Sequence, residues 1–249
     1  MQLDAYDAFL CDLDGCLISG STVLPGAQAL LDYAGERLII LSNNSTDTPH
    51  TLSARLKQLG LKAPPQRIVL AGTTALDHLG QTAELRIRLY GSGALRAYAK
   101  DLGLLLDDVT PTHILLTRDE SFGYGELREI VRSLSQGAQL YVANTDESHP
   151  GADHVPVPET GSLLAAILSI LPDLTYTVIG KPEAALYHAA LARLGVGVRR
   201  VLTIGDNPKT DAAGAARLGL DCALIGPNHG EWSDLNQLMA AHAVIGRPA

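Results

Sequence analysis

The sequence predicts an α/β protein whose core is a doubly wound parallel sheet of the Rossmann-like kind. Short continuous apolar runs recur along the chain, and polar loop residues follow each of them, as expected of parallel strands that are covered on both faces. Between these runs lie segments whose apolar residues repeat at i, i+3, i+4 and i+7, the spacing of amphipathic helices. Strand and helix therefore alternate in the βαβ units from which parallel sheets are built.

The first βαβ unit is predicted near the start of the chain. Residues 8–11 form an apolar run that is predicted to be a strand, and a helix with one apolar face is predicted over 27–34. Residues 38–41 form the next strand, which leads into Ser42. In such folds the crevice lies at the carboxyl ends of the strands, so Ser42 is expected beside Asp12.

The same alternation continues along the chain. A helix that begins at Thr48 and Pro49 leads to a strand at 68–70. From about residue 72 to 176 the pattern repeats, with strands predicted at 85–90, 114–117 and 140–143 and helices at 93–102, 126–134 and 161–171. The last third adds strands at 176–179, 201–204 and 222–225 and a helix from 182 to 195. Residues 144–160 are too polar and too long for an ordinary connection, and long loops of this kind are often functional.

Composition excludes several classes of function. The net charge of −8 and the absence of a Lys/Arg cluster argue against nucleic-acid or anionic-membrane binding. The longest apolar run, residues 163–171, is about half of the ~20 residues that cross a bilayer. The first seven residues contain two acids and no basic residue, so they do not predict a signal or transit peptide. A cytoplasmic protein is expected.

Three cysteines predict neither a disulfide framework nor a zinc site, because their number is odd and they form no C-x-x-C pair. Cys11 and Cys222 lie in apolar runs and are expected to be small core residues. Cys16 lies beside acids and lacks a local activating His or Lys, which argues against a nucleophilic role.

Polar groups of distinct kinds follow four of the predicted strands. Asp12 and Asp14 follow the first, and side chains two apart in an extended segment share a face. The other three strand ends supply a hydroxyl, a lysine and a further acid pair: Ser42, Lys181, and Asp206 with Asp211. Acids at the edge of a sheet suit Mg²⁺, which is typically held by one or two carboxylates, water and a substrate phosphate.

The motifs that contain these residues resemble the haloacid dehalogenase superfamily of phosphatases. They are, in order, Asp12-x-Asp14-Gly15, Ser42-Asn43-Asn44, Gly180-Lys181-Pro182 and Gly205-Asp206-Asn207-x-x-Thr210-Asp211. The resemblance covers nearly the whole chain and is closer to the NagD-type branch (subfamily IIA), which includes 4-nitrophenylphosphatases and several phosphatases of small metabolites. Residues 118–127 and 137–146 resemble the cap domain of that branch.

The resemblance implies a two-domain organisation. Residues 1–71 and 177–249 would form the catalytic core, and residues 72–176 an inserted α/β cap of the C2 type. Members of the branch often associate through their caps, so a homodimer formed by the cap is implied as well.

Asp12 can attack phosphorus as a carboxylate and form an aspartyl-phosphate, because an ordinary aspartate with a pKa near ~3.9 is ionised at neutral pH. Asp14 would protonate the leaving oxygen and then accept a proton from water. The resemblance implies Mg²⁺ bound by Asp12, Asp206 and the backbone carbonyl of Asp14, with Asp211 supporting the site from nearby. It also implies phosphate contacts from Ser42, the Asn43 amide and Lys181, and the lysine would offset the charge of the phosphoryl group and of the attacking carboxylate.

The predicted activity is therefore Mg²⁺-dependent hydrolysis of a small phosphorylated metabolite. The alternatives are a phosphotransferase or mutase that uses the same aspartyl-phosphate, and a non-catalytic protein that binds a phosphometabolite. The sequence leaves the substrate open among a sugar phosphate, phosphoglycolate, pyridoxal phosphate and a nucleotide. Polar and glycine residues of the cap are the candidate specificity determinants, with two loop histidines as weaker candidates: Asn144, Asp146, Glu159 and Gly161, then His149 and His154.

Overall fold

The computed structural model describes residues 2–150, 155–195, 200–226 and 231–245. It divides into two compact units. The first contains residues 1–42, 49–69 and 181–249, and the second contains residues 43–48 and 70–180. The second unit thus includes a short segment, Asn43–Thr48, that lies far from the rest of that unit in the sequence and inside the range assigned to the core from sequence.

The N-terminal part of the chain forms five strands and two α-helices. In chain order these are β1 (Ala8–Cys11), β2 (Ile18–Ser19), β3 (Thr22–Val23), α1 (Ala27–Ala34), β4 (Leu38–Ser42), α2 (Pro49–Gln58) and β5 (Ile68–Leu70). The middle forms α3 (Ala71–Leu79), β6 (Arg86–Tyr90), α4 (Gly93–Asp101), β7 (Leu105–Leu106), β8 (His113–Leu116), α5 (Tyr124–Ser135), β9 (Gln139–Val142), β10 (Ser148–Pro150), β11 (Pro156–Pro158), α6 (Thr160–Leu168) and β12 (Tyr176–Val178). The C-terminal part forms α7 (Ala184–Leu194), β13 (Val201–Gly205), α8 (Ala213–Arg217), β14 (Asp221–Leu224) and α9 (Leu235–Ile245).

The core sheet has the strand order β14-β13-β1-β4-β5. Strand β1 pairs in parallel with β13 on one side and with β4 on the other, so the order of the chain reverses at β1. A reversal of this kind opens a crevice at the carboxyl ends of the strands. The predicted α/β class with a parallel sheet is confirmed.

The second unit has its own five-stranded sheet, with the order β12-β9-β8-β6-β7 and parallel pairing throughout. Buried side chains from α5 and α6 pack on this sheet, among them Ile130, Leu134, Leu164 and Ile167. Burying a side chain of this size stabilises a fold by about 1.5–3 kcal/mol, so the second unit has a hydrophobic core of its own.

Residues 144–160, which the sequence predicted as a long polar loop, contain an antiparallel strand pair. Strands β10 and β11 pair with Ser148 opposite Pro158 and Pro150 opposite Pro156. The segment has no alternation of apolar and polar residues, and proline is depleted in strands, so no strand pattern was visible. Across the described part of the chain, no helix has the length and apolar character needed to cross a membrane.

Candidate active site

Asp12 directly follows β1, between the two strands that flank it. Its backbone N–H donates to the Ile204 carbonyl at 2.8 Å, which continues the pairing of β1 with β13. Its Oδ1 accepts a hydrogen bond from the Leu13 amide at 2.8 Å, and 11% of the side chain is exposed. The carboxylate is therefore held at the carboxyl end of the central strand with limited access to water.

Lys181 supplies a buried positive charge to this carboxylate. Its Nζ lies 2.7 Å from Asp12 Oδ1 and 2.7 Å from Asp211 Oδ1, and only 1% of the lysine side chain is exposed. Burial lowers the pKa of Lys181, but the Asp12 and Asp211 carboxylates outweigh that effect and hold the pKa well above its usual value. The lysine is therefore an ammonium ion shared between two acids.

Asp211 lies in a π-helical turn, Pro208–Ala212, that follows β13. Its Oδ2 accepts a hydrogen bond from the Asn207 amide at 3.1 Å, while Oδ1 accepts from Lys181. A methyl group at Gly205 would overlap the Asp211 carboxylate, so glycine is needed there for the close approach. The hydroxyl of Tyr187 donates to the Asp211 carbonyl at 3.1 Å and so fixes the backbone of this turn.

Sequence reasoning missed Tyr187, which belongs to this support. Its side chain is fully buried, and a methyl group at Gly214 would overlap its ring. The sequence feature that could have indicated Tyr187 is Gly214 in α8, because an isolated glycine in a helix often marks a place where another group packs closely.

Asp206 completes a group of three carboxylates with Asp12 and Asp211. One oxygen from each can be chosen so that all three lie within 4.8 Å of one another. Burial, and then the Asp211 charge, raise the pKa of Asp206 to about 6. Burial likewise raises the pKa of Asp12 well above its usual value, against the opposing effect of Lys181. One ammonium among three crowded carboxylates leaves an excess of negative charge, which a divalent cation with oxygen ligands would offset.

Asp14 and Gly15 follow Asp12 in a tight turn. Asp14 is exposed, and its charge contributes to the raised pKa of Asp206, so the two acids are neighbours. Gly15 has a φ of +80°, and a methyl group there would overlap the Asp206 carboxylate. The glycine of the Asp-x-Asp-Gly motif therefore serves both the turn and the close approach of Asp206.

Ser42 is the last residue of β4 and is buried. The register pairs Cys11 of β1 with Ile40 of β4, so Ser42 and Asp12 leave neighbouring strands at the same edge of the sheet. Asn43 follows Ser42 in the chain and belongs to the second unit.

The candidate specificity residues lie in the second unit. Asn144 is buried, and its side-chain amide donates to the Asn43 carbonyl at 2.7 Å. Asp146 Oδ2 accepts from the Asn43 side-chain amide at 3.0 Å. The Gly161 amide donates to the Asp146 carbonyl at 2.8 Å. Asn144 and Asp146 thus contact the residue that follows Ser42, and Gly161 contacts Asp146. The predicted contact of these three residues with substrate remains a prediction.

Glu159 forms a separate cluster in the second unit. Its Oε1 lies 2.7 Å from His149 Nδ1 and 3.7 Å from an Arg118 nitrogen. Burial raises the pKa of Glu159, while Arg118 and His149 oppose that shift. Arg118 belongs to the stretch that resembles the cap domain, but nothing in the sequence pattern identified it as a partner of Glu159. His154 lies outside the described residues.

The buried cysteines have the properties of core residues. Burial raises the pKa values of the Cys11 and Cys16 thiols well above their usual range, so both are protonated at neutral pH. A protonated thiol is a weak nucleophile, in keeping with the expectation that Cys16 does not attack substrate.

Comparison with known proteins identifies the family. The model of the haloacid dehalogenase-like hydrolases matches residues 9–105, and a HAD-hydrolase-like model matches residues 178–245. Dihydroxyacetone phosphatase from Corynebacterium glutamicum (strain R) is 31% identical over 223 residues, which are 88% of this chain and 80% of that protein.

Solved structures give the same result. A glycerol phosphate phosphatase from Mycobacterium tuberculosis, solved in complex with magnesium, superposes with a TM-score of 0.81 at 27% identity, over 90% of this chain and 69% of that one. NagD from Escherichia coli K-12 superposes with a TM-score of 0.81 at 23% identity, over 93% of this chain and 96% of that one. The chain therefore belongs to the haloacid dehalogenase-like hydrolases, and within them it is a phosphatase of the NagD type, subfamily IIA.

Proposed function

We propose that the protein is a Mg²⁺-dependent phosphatase that hydrolyses a small sugar phosphate through an aspartyl-phosphate on Asp12. The observation that carries this proposal is the group of three carboxylates, Asp12, Asp206 and Asp211, around the buried ammonium of Lys181. Phosphoryl transfer depends on positioning and on charge stabilisation. This edge of the core sheet supplies a carboxylate nucleophile, a fixed cation and oxygen ligands for a metal.

In the first step the Asp12 carboxylate attacks phosphorus, an oxygen–phosphorus bond forms, and the ester bond to the leaving oxygen breaks. Asp14 gives its proton to that oxygen. In the second step Asp14 takes a proton from water as the water attacks phosphorus, and the bond to Asp12 breaks to release inorganic phosphate. The carboxylate that Asp14 becomes in the first step is the base of the second, so Asp14 is protonated again when phosphate is released.

Ser42 and Lys181 would stabilise the phosphoryl group during these steps, together with the Asn43 amide. Lys181 is well suited to this because two carboxylates keep it charged. Hydrogen-bond donors fixed in a site with little water stabilise developing negative charge strongly.

Mg²⁺ fits this donor set. Asp12, Asp206 and the backbone carbonyl of Asp14 would hold it, and Asp211 would support the site while it pairs with Lys181. When bound, the ion would offset negative charge on the phosphoryl oxygens. Ionised Asp12 needs such compensation, because burial raises its pKa in the metal-free protein; the assumption of an ordinary aspartate pKa does not hold for this site.

The names of two relatives support a substrate class. One acts on dihydroxyacetone phosphate by its name and another on glycerol phosphate, so of the four substrate types that the sequence left open we favour a small sugar phosphate. The second unit would select the leaving group, with Glu159 as a determinant, and would also mediate the homodimer.

The test of this proposal is release of inorganic phosphate from a panel of phosphate esters, with Mg²⁺ and with a chelator. The panel contains triose and hexose phosphates, glycerol phosphate, phosphoglycolate, pyridoxal phosphate and nucleotides. We expect Mg²⁺-dependent release that is fastest for a small sugar phosphate. Fastest release from a nucleotide or from pyridoxal phosphate would contradict the substrate class, and full activity with chelator would contradict the metal requirement.

Replacing Gly15 with Ala is expected to weaken Mg²⁺ binding by about 10–100-fold, because the added methyl group displaces the Asp206 carboxylate. The Mg²⁺ concentration that gives half-maximal activity measures this loss. Gly20→Ala is a matched control: Gly20 also has a positive φ, of +57°, but a methyl group there meets no atom within 4 Å. Equal losses in both variants would show that backbone strain, and not displacement of Asp206, is the cause.

Stability without metal is expected to fall as the pH rises from about 4 to about 7. The pKa of Asp206 in the folded protein is about 6, above its ordinary value, so the folded state binds more protons in this window. Thermal unfolding in chelator measures the trend. Mg²⁺ should raise the Tm more at pH 7 than at pH 5, and Asp206→Asn should flatten the profile. A Tm that rises with pH across this window in chelator would contradict the account.

A further inference from the structure

We propose that Asp146 and Asn144 are positioning residues for phosphate binding, because they fix the backbone that follows Ser42. This inference rests on the proposed function, in which the Asn43 amide binds a phosphoryl oxygen. It assigns these two residues a role that is distinct from the predicted contact with the leaving group.

The segment Asn43–Thr48 is the starting point. It lies between β4 and α2 of the first unit in the sequence, yet it packs as part of the second unit. The segment has no strand or helix pairing of its own. Within it the Asn44 side chain accepts from the Thr46 and Asp47 amides at 3.0 and 2.8 Å, and the rest of its conformation depends on contacts with side chains and loops of the second unit.

The backbone and the side chain of Asn43 both form hydrogen bonds with side chains of the second unit. The Asn144 side-chain amide donates to the Asn43 carbonyl at 2.7 Å, and the Asn43 side-chain amide donates to Asp146 Oδ2 at 3.0 Å. Asn144 also accepts from the Asp146 amide at 3.1 Å, so the two anchors are joined to each other. Backbone and side chain of Asn43 are thus fixed together.

Two glycines allow this arrangement. A methyl group at Gly180 would lie 2.6 Å from Asn43 Oδ1 and 2.6 Å from the Ala143 carbonyl oxygen. A methyl group at Gly161 would overlap the carbonyl oxygens of Thr145 and Asp146. The glycine of the Gly-Lys-Pro motif and the glycine of α6 therefore both make room for the contacts of Asn43 and Asp146.

A second buried contact holds the segment two residues further on. Ser45 Oγ lies 3.2 Å from Thr160 Oγ1, accepts from the Arg118 amide at 3.1 Å, and lies 3.4 Å from the Asn144 side-chain amide. Thr160 and Asn144 are both buried. A buried polar group that loses its hydrogen-bond partner destabilises the fold. These contacts therefore favour one backbone conformation of the segment.

Kinetic measurements distinguish a residue that positions the Asn43 amide from a residue that contacts the leaving group. A residue that contacts the leaving group changes kcat/KM differently for different esters. A residue that positions the Asn43 amide changes kcat/KM by a similar factor for all esters, and it also weakens binding of inorganic phosphate, which has no leaving group. Small displacements of a binding group can cost about 10²-fold in rate.

The experiment compares four variants with the wild type: Asp146→Ala, Asp146→Asn, Asn43→Ala and the double variant Asn43→Ala with Asp146→Ala. Asp146→Asn keeps an oxygen that can accept from the Asn43 side chain, and Asn43→Ala keeps the backbone amide. Ser162→Ala is the matched control, because it removes a hydrogen bond to the Glu147 carbonyl in the same unit and does not touch Asn43–Thr48. Kinetics on the ester panel and calorimetric binding of inorganic phosphate with Mg²⁺ are measured for each, after thermal unfolding shows that each is folded.

We expect Asp146→Ala to lower kcat/KM by about 10–100-fold for every ester and to weaken phosphate binding by about tenfold. Asp146→Asn should recover most of both, Ser162→Ala should match the wild type, and the double variant should be no worse than Asn43→Ala alone. Unchanged phosphate binding in Asp146→Ala, or a loss confined to some esters, would overturn the inference. Calorimetry does not require turnover, so a wild type that binds phosphate and hydrolyses nothing would contradict the proposed function while the binding comparison still decides this inference.

Discussion

Replacing Asp12 with Asn is expected to lower kcat by about 10⁴-fold or more while the protein remains folded. The amide cannot attack phosphorus as a carboxylate does, whereas the shape of the side chain is unchanged. The fold should survive because the buried Asp12 carboxylate is itself unfavourable, as its raised pKa indicates, and because Lys181 keeps Asp211 as a partner. Phosphate release from the best ester of the panel, with thermal unfolding as the check of folding, measures both parts.

Asp4→Asn is the control for this variant. Asp4 lies in the same unit, and its carboxylate accepts from the Tyr33 hydroxyl at 2.6 Å in an exposed position. We expect wild-type activity for Asp4→Asn. Folded Asp12→Asn protein with more than about a tenth of wild-type turnover would rule out Asp12 as the nucleophile.

Replacing Lys181 with Met is expected to lower the free energy of unfolding by about 3–5 kcal/mol at pH 7 in chelator, and kcat by at least about 10²-fold. The buried ammonium holds Asp12 and Asp211 together at 2.7 Å each. Without the ammonium, the Asp12 and Asp211 carboxylates repel each other, and one of them must be protonated or move away. Urea denaturation and phosphate release measure the two effects.

Lys209→Met is the control for Lys181→Met, because it removes a lysine near the site that forms no part of the buried ion pairs. Lys209 lies in the turn that contains Asp211, but it is exposed. Its replacement should change stability by no more than about 0.5 kcal/mol. If Lys181→Met were as stable as Lys209→Met, the buried ion pairs would not hold the site together.

The sequence predicted the parts of this protein in which local pattern and tertiary packing agree. Strand β1 is a continuous apolar run because both faces are covered, and the same reasoning identified β4 and β13. Since parallel strands end at one edge of a sheet, the sequence alone predicts that the polar residues after these strands lie together. Asp12, Lys181, Asp206 and Asp211 do lie together.

The sequence did not predict features that depend on contacts between distant segments. Helix α3 was missed because it begins directly at the end of β5 with small residues and no capping residue. The membership of Asn43–Thr48 in the second unit arises from side-chain hydrogen bonds to residues about a hundred positions away. The support of Asp211 by Tyr187 likewise has no local pattern, apart from the glycine that makes room for the ring.

The stereochemical course at phosphorus tests the central claim, attack by Asp12, most directly. A phosphorothioate ester made chiral at phosphorus with two oxygen isotopes is hydrolysed in water that carries the third isotope, and the configuration of the released thiophosphate is determined. Each in-line displacement inverts phosphorus, so the two steps through Asp12 predict overall retention. Overall inversion would mean that water attacks the ester directly, and it would contradict the aspartyl-phosphate mechanism.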